Sequence, residues 1–308
     1  MPDKKSHNKI GFVLIGLVLI FTASILISSY NQNEAAAISE QAYAPTDSSE
    51  QDSLSSDRVN FARLKAFVNA SKNAPVDTAT LDAQINTIIS NNSDIKISVA
   101  IKDLGAGTVH NYGHQNAMTA ASVTKVLTAV DYLKQVELGH KSLNTVLPDG
   151  NTAQYDIEQM IVVSDNNAWH ALNDSLTYTQ LQSYAESIGL SSYYYVDNII
   201  STADVTKLLG DLYQRHLINE SNTQLLLSYM ERANFRDLIV PAIPEYDTVY
   251  HKAGWLSRYL NDSTIITNAD RAIALTIFTD SITYYDKARV SSIMQQITTP
   301  TLETFGLN

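Results

Sequence analysis

Between about residue 96 and the C-terminus, strand-like segments occur at the beginning and again near the end, and a long helical stretch separates the two groups. The strand-like segments alternate apolar and polar side chains or are rich in β-branched residues, whereas the intervening residues have apolar positions spaced as in helices. This order predicts an α/β (α+β) fold, in which one mixed sheet accompanies an all-helical half. The predicted strands are residues 96–104, 109–112, 248–255, 263–267 and 272–279, with a glycine-containing turn at 105–107.

The chain has enough apolar residues to build a core for such a fold. It contains 308 residues, of which 44% are hydrophobic and 17% are charged. A composition of this kind is typical of a folded globular chain and not of a disordered one. The predicted helices are residues 58–71, 80–90, 123–138, 178–188, 202–217, 223–232 and 286–297.

Charge and cysteine content exclude several classes of function. The formal net charge is −11, from 32 acidic and 21 basic residues, and no long basic cluster occurs. Nucleic-acid binding is therefore not expected, because it needs a surface that neutralises phosphates. The chain has no cysteine. This excludes disulfides, cysteine nucleophiles, thiolate metal sites and a lipid-modified cysteine anchor.

The N-terminus predicts an extracytoplasmic protein. Residues 10–30 form an uncharged apolar run preceded by three lysines, and about 20 such residues can span a bilayer as a helix. Basic residues before the run place the N-terminus in the cytoplasm. A retained single-pass anchor is favoured over a cleaved signal peptide, whose apolar region is typically only about 7–15 residues.

The predicted domain organisation follows from this segment and the residues after it. Residues 31–56 are rich in Ser, Ala, Asp, Gln and Glu and almost lack large apolar side chains, which is typical of a flexible linker. The prediction is a cytoplasmic tail at 1–9, a transmembrane anchor or signal peptide at 10–30, the linker at 31–56 and one folded domain at 57–308.

The first motif that carries chemistry is Ser122-x-x-Lys125, at the start of a predicted helix. Side chains three positions apart lie on one face of a helix, one turn apart. A neutral amine there can take the proton of the hydroxyl, and the backbone N–H of Ser122 can help to bind an oxyanion. Alone the spacing is weak, because it also occurs at residues 6–9 and 93–96, and a serine before a helix is commonly an N-cap.

The second motif is Ser164-Asp165-Asn166, between two helical runs. A hydroxyl on a short loop can pass a proton to a leaving nitrogen, and a nearby amide can hydrogen-bond a substrate amide. The alternative interpretation is ordinary capping of the second helix, since Ser, Asp and Asn are favoured N-caps.

The third motif is Lys252-Ala253-Gly254-Trp255, on a predicted strand. A lysine in a strand can hold an anionic group, and small residues beside it let a substrate pair with the strand edge. The backbone N–H of Trp255 is then a candidate second oxyanion donor. The alternative is a lysine that merely protects an edge strand from aggregation.

In this order the three motifs resemble those of the penicillin-recognising serine enzymes, specifically the class A β-lactamase-like branch. The resemblance extends from about residue 97 to the C-terminus, and residues 261–280 resemble the family's last two sheet strands. It implies a β-lactamase/transpeptidase-like fold, with an antiparallel sheet flanked by helices and an all-helical half.

The resemblance also implies a role for each candidate site residue. Ser122 is the nucleophile that accepts the acyl group, and Lys125 is its base or relay. Ser164 passes a proton to the leaving nitrogen. Asn166 contacts a substrate amide, and Lys252 is the electrostatic partner of the substrate carboxylate.

One departure from the family concerns deacylation. Class A β-lactamases activate the deacylating water with an acid in a Glu-x-x-Leu-Asn pattern, which this chain lacks. The corresponding stretch, residues 189–201, is short, and Asp197-Asn198 is its only acid–amide pair. Asp197 is a candidate substitute for the missing base, but a turn-forming pair is the favoured interpretation. Without the base, the acyl-enzyme is expected to hydrolyse slowly.

A second departure is Ala253, where the family usually has Thr or Ser. The missing hydroxyl normally helps to hold the substrate carboxylate, and a hydrogen bond to a charged group contributes about 1.5–3 kcal/mol. Arg258 is a candidate replacement, with an exposed turn arginine as the favoured alternative.

These observations predict a membrane-anchored extracytoplasmic serine hydrolase that acts on D-alanyl peptides or β-lactam amides and deacylates slowly. The expected partners are a peptidoglycan peptide or a β-lactam substrate, and the membrane through the N-terminal helix; a monomer without cofactor or metal is expected. One alternative is a true β-lactamase with an unconventional deacylation base. The other is a catalytically weak or inactive cell-wall-binding module.

Overall fold

The computed structural model describes residues 76–282 and 286–307. Within them, eight α-helices accompany a five-stranded sheet in which every neighbouring pair of strands is antiparallel. A separate two-stranded ribbon lies outside this sheet. The strands are β1 (Ile95–Asp103), β2 (Val109–Gly113), β3 (Met118–Thr119), β4 (Ile199–Ile200), β5 (Thr248–Leu256), β6 (Tyr259–Thr267) and β7 (Ala272–Ser281).

The order of strands in the sheet is β2-β1-β7-β6-β5, which joins the two ends of the described chain. Ile95 lies opposite Ser281, and the pairing of β1 with β7 continues to Asp103 opposite Ile273. Strand β5 is at one edge. The helices are α1 (Ala79–Asn91), α2 (Lys125–Glu137), α3 (Ala153–Val162), α4 (Asn166–Leu176), α5 (Tyr178–Ser187), α6 (Thr202–Tyr213), α7 (Glu220–Glu231) and α8 (Lys287–Phe305).

Apolar side chains form two cores, one on each face of the sheet. The side chains of successive strand residues point to opposite faces. Accordingly, Ala274 and Phe278 of β7 pack with α2–α7, whereas Ile273, Leu275 and Ile277 pack with α1 and α8. The helical half of the molecule therefore packs against one face of the sheet. On this side, β5 meets the residues that lead into α2.

The predicted fold class is confirmed, and four predicted elements differ in extent by three residues or more. Helix α6 ends at Tyr213 and not at 217, and helix α7 begins at Glu220 and not at 223. Strand β6 begins at Tyr259 and not at 263. The sequence pattern misses its first residues because Asn261 and Asp262 are polar although they are buried. Helix α8 continues to Phe305 past the predicted end at 297, with Pro300 inside it.

Four predictions about the N-terminal part lie outside the described residues. These are the cytoplasmic tail at 1–9, the anchor at 10–30, the linker at 31–56 and the helix at 58–71. In the described part of the chain, no helix combines the length and apolarity that crossing a bilayer requires.

Candidate active site

Ser122 lies in a short 3-10 turn, Ala121–Thr124, immediately before α2. Ser122 is not the N-cap of the helix, because that position belongs to Thr124. Ala121 has a φ of +52°, a left-handed conformation that is rare for a residue with a Cβ atom. Such conformations persist where surrounding structure enforces them, and they cluster at functional sites.

Asn198 holds this turn in place through three hydrogen bonds. Its Nδ2 donates to the carbonyl of Ala121 at 2.9 Å, and its Oδ1 accepts from Thr124 Oγ1 at 2.7 Å. The backbone carbonyl of Asn198 also accepts from the N–H of Ala120 at 2.9 Å. The side chain that reaches the turn is therefore the amide of the Asp197-Asn198 pair, and Asp197 itself is exposed.

Strand β5 packs directly against the same turn at Gly254. A Cβ atom at this position would lie 2.6 Å from the carbonyl oxygen of Ala120, 2.9 Å from the backbone N of Ser122 and 3.1 Å from that of Val123. Real Cβ atoms do not approach backbone atoms so closely. Only glycine therefore lets the strand reach the serine, as a close approach between two backbones requires.

The amine of Lys125 is fully buried among neutral oxygen acceptors. Its Nζ donates to the backbone carbonyl of Ser164 at 2.7 Å, to Ser164 Oγ at 3.3 Å and to Asn166 Oδ1 at 2.7 Å. No described carboxylate is among its hydrogen-bond partners. The Ser164-Asp165-Asn166 loop therefore meets the first motif through this lysine.

Lys252 reaches the same hydroxyl from β5. Its Nζ donates to Ser164 Oγ at 2.9 Å and to the backbone carbonyl of Ala253 at 3.3 Å. The side chain of Lys252 is only 2% exposed, so it does not serve as a solvent-facing guard on the edge strand. With both amines donating to Ser164 Oγ, the hydroxyl hydrogen of Ser164 is directed away from them and is available to a substrate.

Burial lowers the pKa of both lysines. The pKa of Lys125 falls to about 8, and the negative charge of Asp165 opposes this shift. The pKa of Lys252 falls to about 7 through burial and then through the positive charge of Lys125, against the charge of Asp262. Near neutral pH, the site can therefore hold an amine without its proton, which is what a general base requires.

The Ser164 loop combines capping with the contacts to both lysines. Asp165 is the N-cap of α4, and its carboxylate accepts from the N–H groups of Asn167 at 2.7 Å and Ala168 at 3.1 Å. Ser164 has a φ of +62°. The capping interpretation is thus correct for Asp165, while the two residues beside it face the amines.

Trp255 and Ala253 lie where the third motif predicts, on β5 on either side of Gly254. The indole of Trp255 is 64% exposed, and its Nε1 donates to the carbonyl of Ser257 at 3.0 Å. Arg258 forms an ion pair with Asp280 at 2.8 Å. If Arg258 held a substrate carboxylate in place of the hydroxyl that the family usually has at position 253, it would have to leave this ion pair with Asp280.

Trp169 is a site residue that the sequence interpretation missed. Its ring centroid lies 5.4 Å from Lys125 Nζ, and its Nε1 donates to Thr128 Oγ1 at 3.0 Å. The usable signal was its position three residues after Asn166 on one helix, which places both on the same face. In the described part of the chain, no group of His, Cys, Asp and Glu could hold a metal ion.

The fold and the site together define a class of protein. An antiparallel sheet and a helical half that meet at a Ser-x-x-Lys turn, with a second serine and a second lysine beside it, are the features of the penicillin-recognising serine hydrolases. The sequence profile described as "Beta-lactamase enzyme family" matches residues 80–305. The chain therefore belongs to this family and is a serine hydrolase.

Solved structures with the same fold agree with this assignment. A mutant of PBP-A in an acyl-enzyme complex with penicillin G is 20% identical, with a TM-score of 0.70, and the match covers 76% of this chain and 99% of that chain. An ancestral class A β-lactamase (GNCA) is 18% identical, with a TM-score of 0.68, and the match covers 72% and 99% of the two chains. No curated protein sequence matches the chain.

Proposed function

We propose that the chain is a membrane-anchored extracytoplasmic serine hydrolase that forms an acyl-enzyme on Ser122 with D-alanyl peptides or β-lactam amides and deacylates slowly. The observation that carries this proposal is the convergence of Lys125 Nζ and Lys252 Nζ on Ser164 Oγ, at 3.3 and 2.9 Å. This convergence supplies a base and a proton shuttle in one hydrogen-bonded group beside the Ser122 turn.

Acylation proceeds in two steps, the attack of Ser122 on the substrate and the collapse of the tetrahedral intermediate. Neutral Lys125 takes the proton of Ser122, whose Oγ attacks the carbonyl carbon of the substrate amide. The backbone N–H groups of Ser122 and Trp255 stabilise the oxyanion that forms. When the tetrahedral intermediate collapses, the C–N bond breaks, and Ser164 gives its proton to the leaving nitrogen while it regains one from a protonated lysine.

The short segment between α5 and α6 supports slow deacylation. In residues 188–201, Asp197 is the only acid, and it is exposed. Asn198, its neighbour, occupies the contact with the Ser122 turn, and an amide cannot accept a proton from water as a carboxylate can. In this segment of the described chain, no carboxylate is therefore hydrogen-bonded to the Ser122 turn, where it could activate the water that hydrolyses the acyl-enzyme.

Location and assembly belong to the proposal as well. The apolar run at residues 10–30, with lysines before it, supports a single-pass anchor with the hydrolase domain outside the cytoplasm. We propose that the domain acts there as a monomer on peptides of the cell wall.

The two alternatives make different predictions for turnover. If the chain is a true β-lactamase, it would hydrolyse its acyl-enzyme rapidly with Asp197 or another unconventional base. A non-catalytic wall-binding module would form no acyl-enzyme. The contacts of both lysines with Ser164 argue against this alternative, because a module without catalysis does not need them.

A chromogenic β-lactam distinguishes these possibilities through turnover. We expect the full-length chain in detergent to release a burst of about one product per molecule, followed by a steady rate at least about 100-fold lower than the acylation rate, since a general base contributes about 10²–10⁴-fold. Rapid steady turnover without a burst would contradict slow deacylation. In that case, Asp197→Asn identifies the base if it slows deacylation while sparing acylation.

A further inference from the structure

The indole ring of Trp169 lies against the amine of Lys125. The centroid of the ring is 5.4 Å from Lys125 Nζ, within the distance of about 6 Å at which an aromatic face attracts a cation. Among the described residues, no other lysine amine lies over a ring, so Lys252 does not share this contact. The ring is therefore in a position to act on the charge of Lys125.

Two hydrogen bonds fix the ring in this position. Trp169 Nε1 donates to Thr128 Oγ1 at 3.0 Å, and the same hydroxyl donates to Asn173 Oδ1 at 3.0 Å. Thr128 lies one turn after Lys125 on α2, and Asn173 lies one turn after Trp169 on α4. The side chains of Thr128 and Asn173 are both buried. The contact between the ring and the amine is thus held by paired positions on two packed helices.

Several features around Lys125 disfavour a proton on its amine. The side chain is buried, and it belongs to the first residue of α2, where the partial positive charge of a helix N-terminus disfavours a cation. Lys252 brings a second amine to the same Ser164 hydroxyl. The carboxylate of Asp165 raises the pKa of Lys125 against these effects, whereas Asp197 is exposed. The face of the indole ring adds a further attraction for the protonated amine.

We propose that Trp169 is a positioning residue that stabilises the protonated form of Lys125 and so sets the pH range in which this lysine acts as the base. This inference rests on the proposed function, because it concerns the same acylation of Ser122. Lys125 takes the proton of Ser122 in the first step, and a protonated lysine returns one to Ser164 in the second. The ring favours the state between these two steps, since the negative face of an aromatic ring attracts the ammonium group.

His170 is a second titratable group that contacts the indole ring. The centroids of the two rings are 5.7 Å apart, and the side chain of His170 is exposed. Histidine ordinarily changes its charge between about pH 5 and 8, so a test that depends on pH must separate its effect from that of Lys125. His170→Gln is the matched control, because it removes the imidazole and leaves the ring of Trp169 and its hydrogen bond to Thr128 in place.

The pH dependence of acylation in Trp169→Leu and Trp169→Phe tests the proposal. Leucine keeps the surroundings of the amine apolar but has no aromatic face, so the pKa of Lys125 should fall further and its neutral fraction at pH 6 should rise. For the full-length chain with a fluorescent penicillin, the ratio of the acylation rate at pH 6 to that at pH 9 should therefore increase by about 2- to 30-fold, as the strength of a cation–π contact predicts. Trp169→Phe keeps an aromatic face and should change the ratio less, and His170→Gln should leave it unchanged.

The ratio separates this role from a structural one, because both rates scale with the amount of folded protein. An unchanged or lower ratio in Trp169→Leu would overturn the inference, as would an equal increase in Trp169→Phe or His170→Gln. Loss of acylation in Trp169→Leu at both pH values would also overturn it, since the ring would then maintain the shape of the site and not the charge of the amine. Failure of the wild-type chain to acylate Ser122 would overturn the proposed function and, with it, this inference.

Discussion

Replacement of Lys125 by alanine is expected to lower the rate of Ser122 acylation by about 10²–10⁴-fold, the range over which a positioned general base accelerates proton transfer. The amine of Lys125 is held by Ser164 and Asn166 at 2.7–3.3 Å, which fixes its position one turn along the chain from Ser122. Stopped-flow acylation with a fluorescent penicillin measures the effect. Lys134→Ala on the same helix is the control, because Lys134 forms an ion pair with Glu137 at the end of the helix that is far from Lys125.

The pH dependence of acylation tests the same role independently. The base is the neutral amine, and burial lowers the pKa of Lys125 to about 8. Below that pH, the neutral fraction falls about tenfold for each unit, so the acylation rate should rise with pH and level off above about 8. A rate that is constant between pH 6 and 9, or retained activity in Lys125→Ala, would rule out this lysine as the base.

Gly254→Ala is expected to reduce acylation by about 100-fold, the effect of a misplacement of about 1 Å at a reacting group. The added methyl group would meet the carbonyl of Ala120 at 2.6 Å and the N of Ser122 at 2.9 Å. Because both contacts are backbone atoms, relief requires the strand to move away from the Ser122 turn. Acylation kinetics, with the melting temperature of each variant, measure the effect.

Gly139→Ala separates this local clash from general destabilisation. Gly139 has a φ of +75°, but a Cβ atom there meets no atom within 4 Å. This control should therefore lose some stability and keep its acylation rate. If Gly254→Ala acylated as fast as the control, the close approach of β5 would have no part in positioning the serine.

Much of the fold could be predicted from local sequence patterns. The alternation in β1 and the helical spacing of α1 and α5 appear at almost the observed boundaries, because each element has a buried face that repeats with its own period. The chemistry of the Ser122, Ser164 and Lys252 motifs was visible for a different reason. Their residue types and order are specific together, although each spacing alone is common.

Contacts that depend on distant segments could not be predicted in this way. Asn198 reaches Thr124 across 74 positions, and Asp197 beside it was the more conspicuous residue because of its charge. Strands β3 and β4 have two residues each, too few for any periodicity. The strain at Ala121 and Phe235 also leaves no sign in the sequence, since it is imposed by the surrounding structure.

The most direct test of the Ser122 acyl-enzyme is intact mass spectrometry of the full-length chain after incubation with a fluorescent penicillin. We expect a mass increase of one penicillin per chain that persists over many minutes, and no increase in Ser122→Ala. Absence of an adduct at every penicillin concentration, or an equal adduct in Ser122→Ala, would contradict a Ser122 acyl-enzyme.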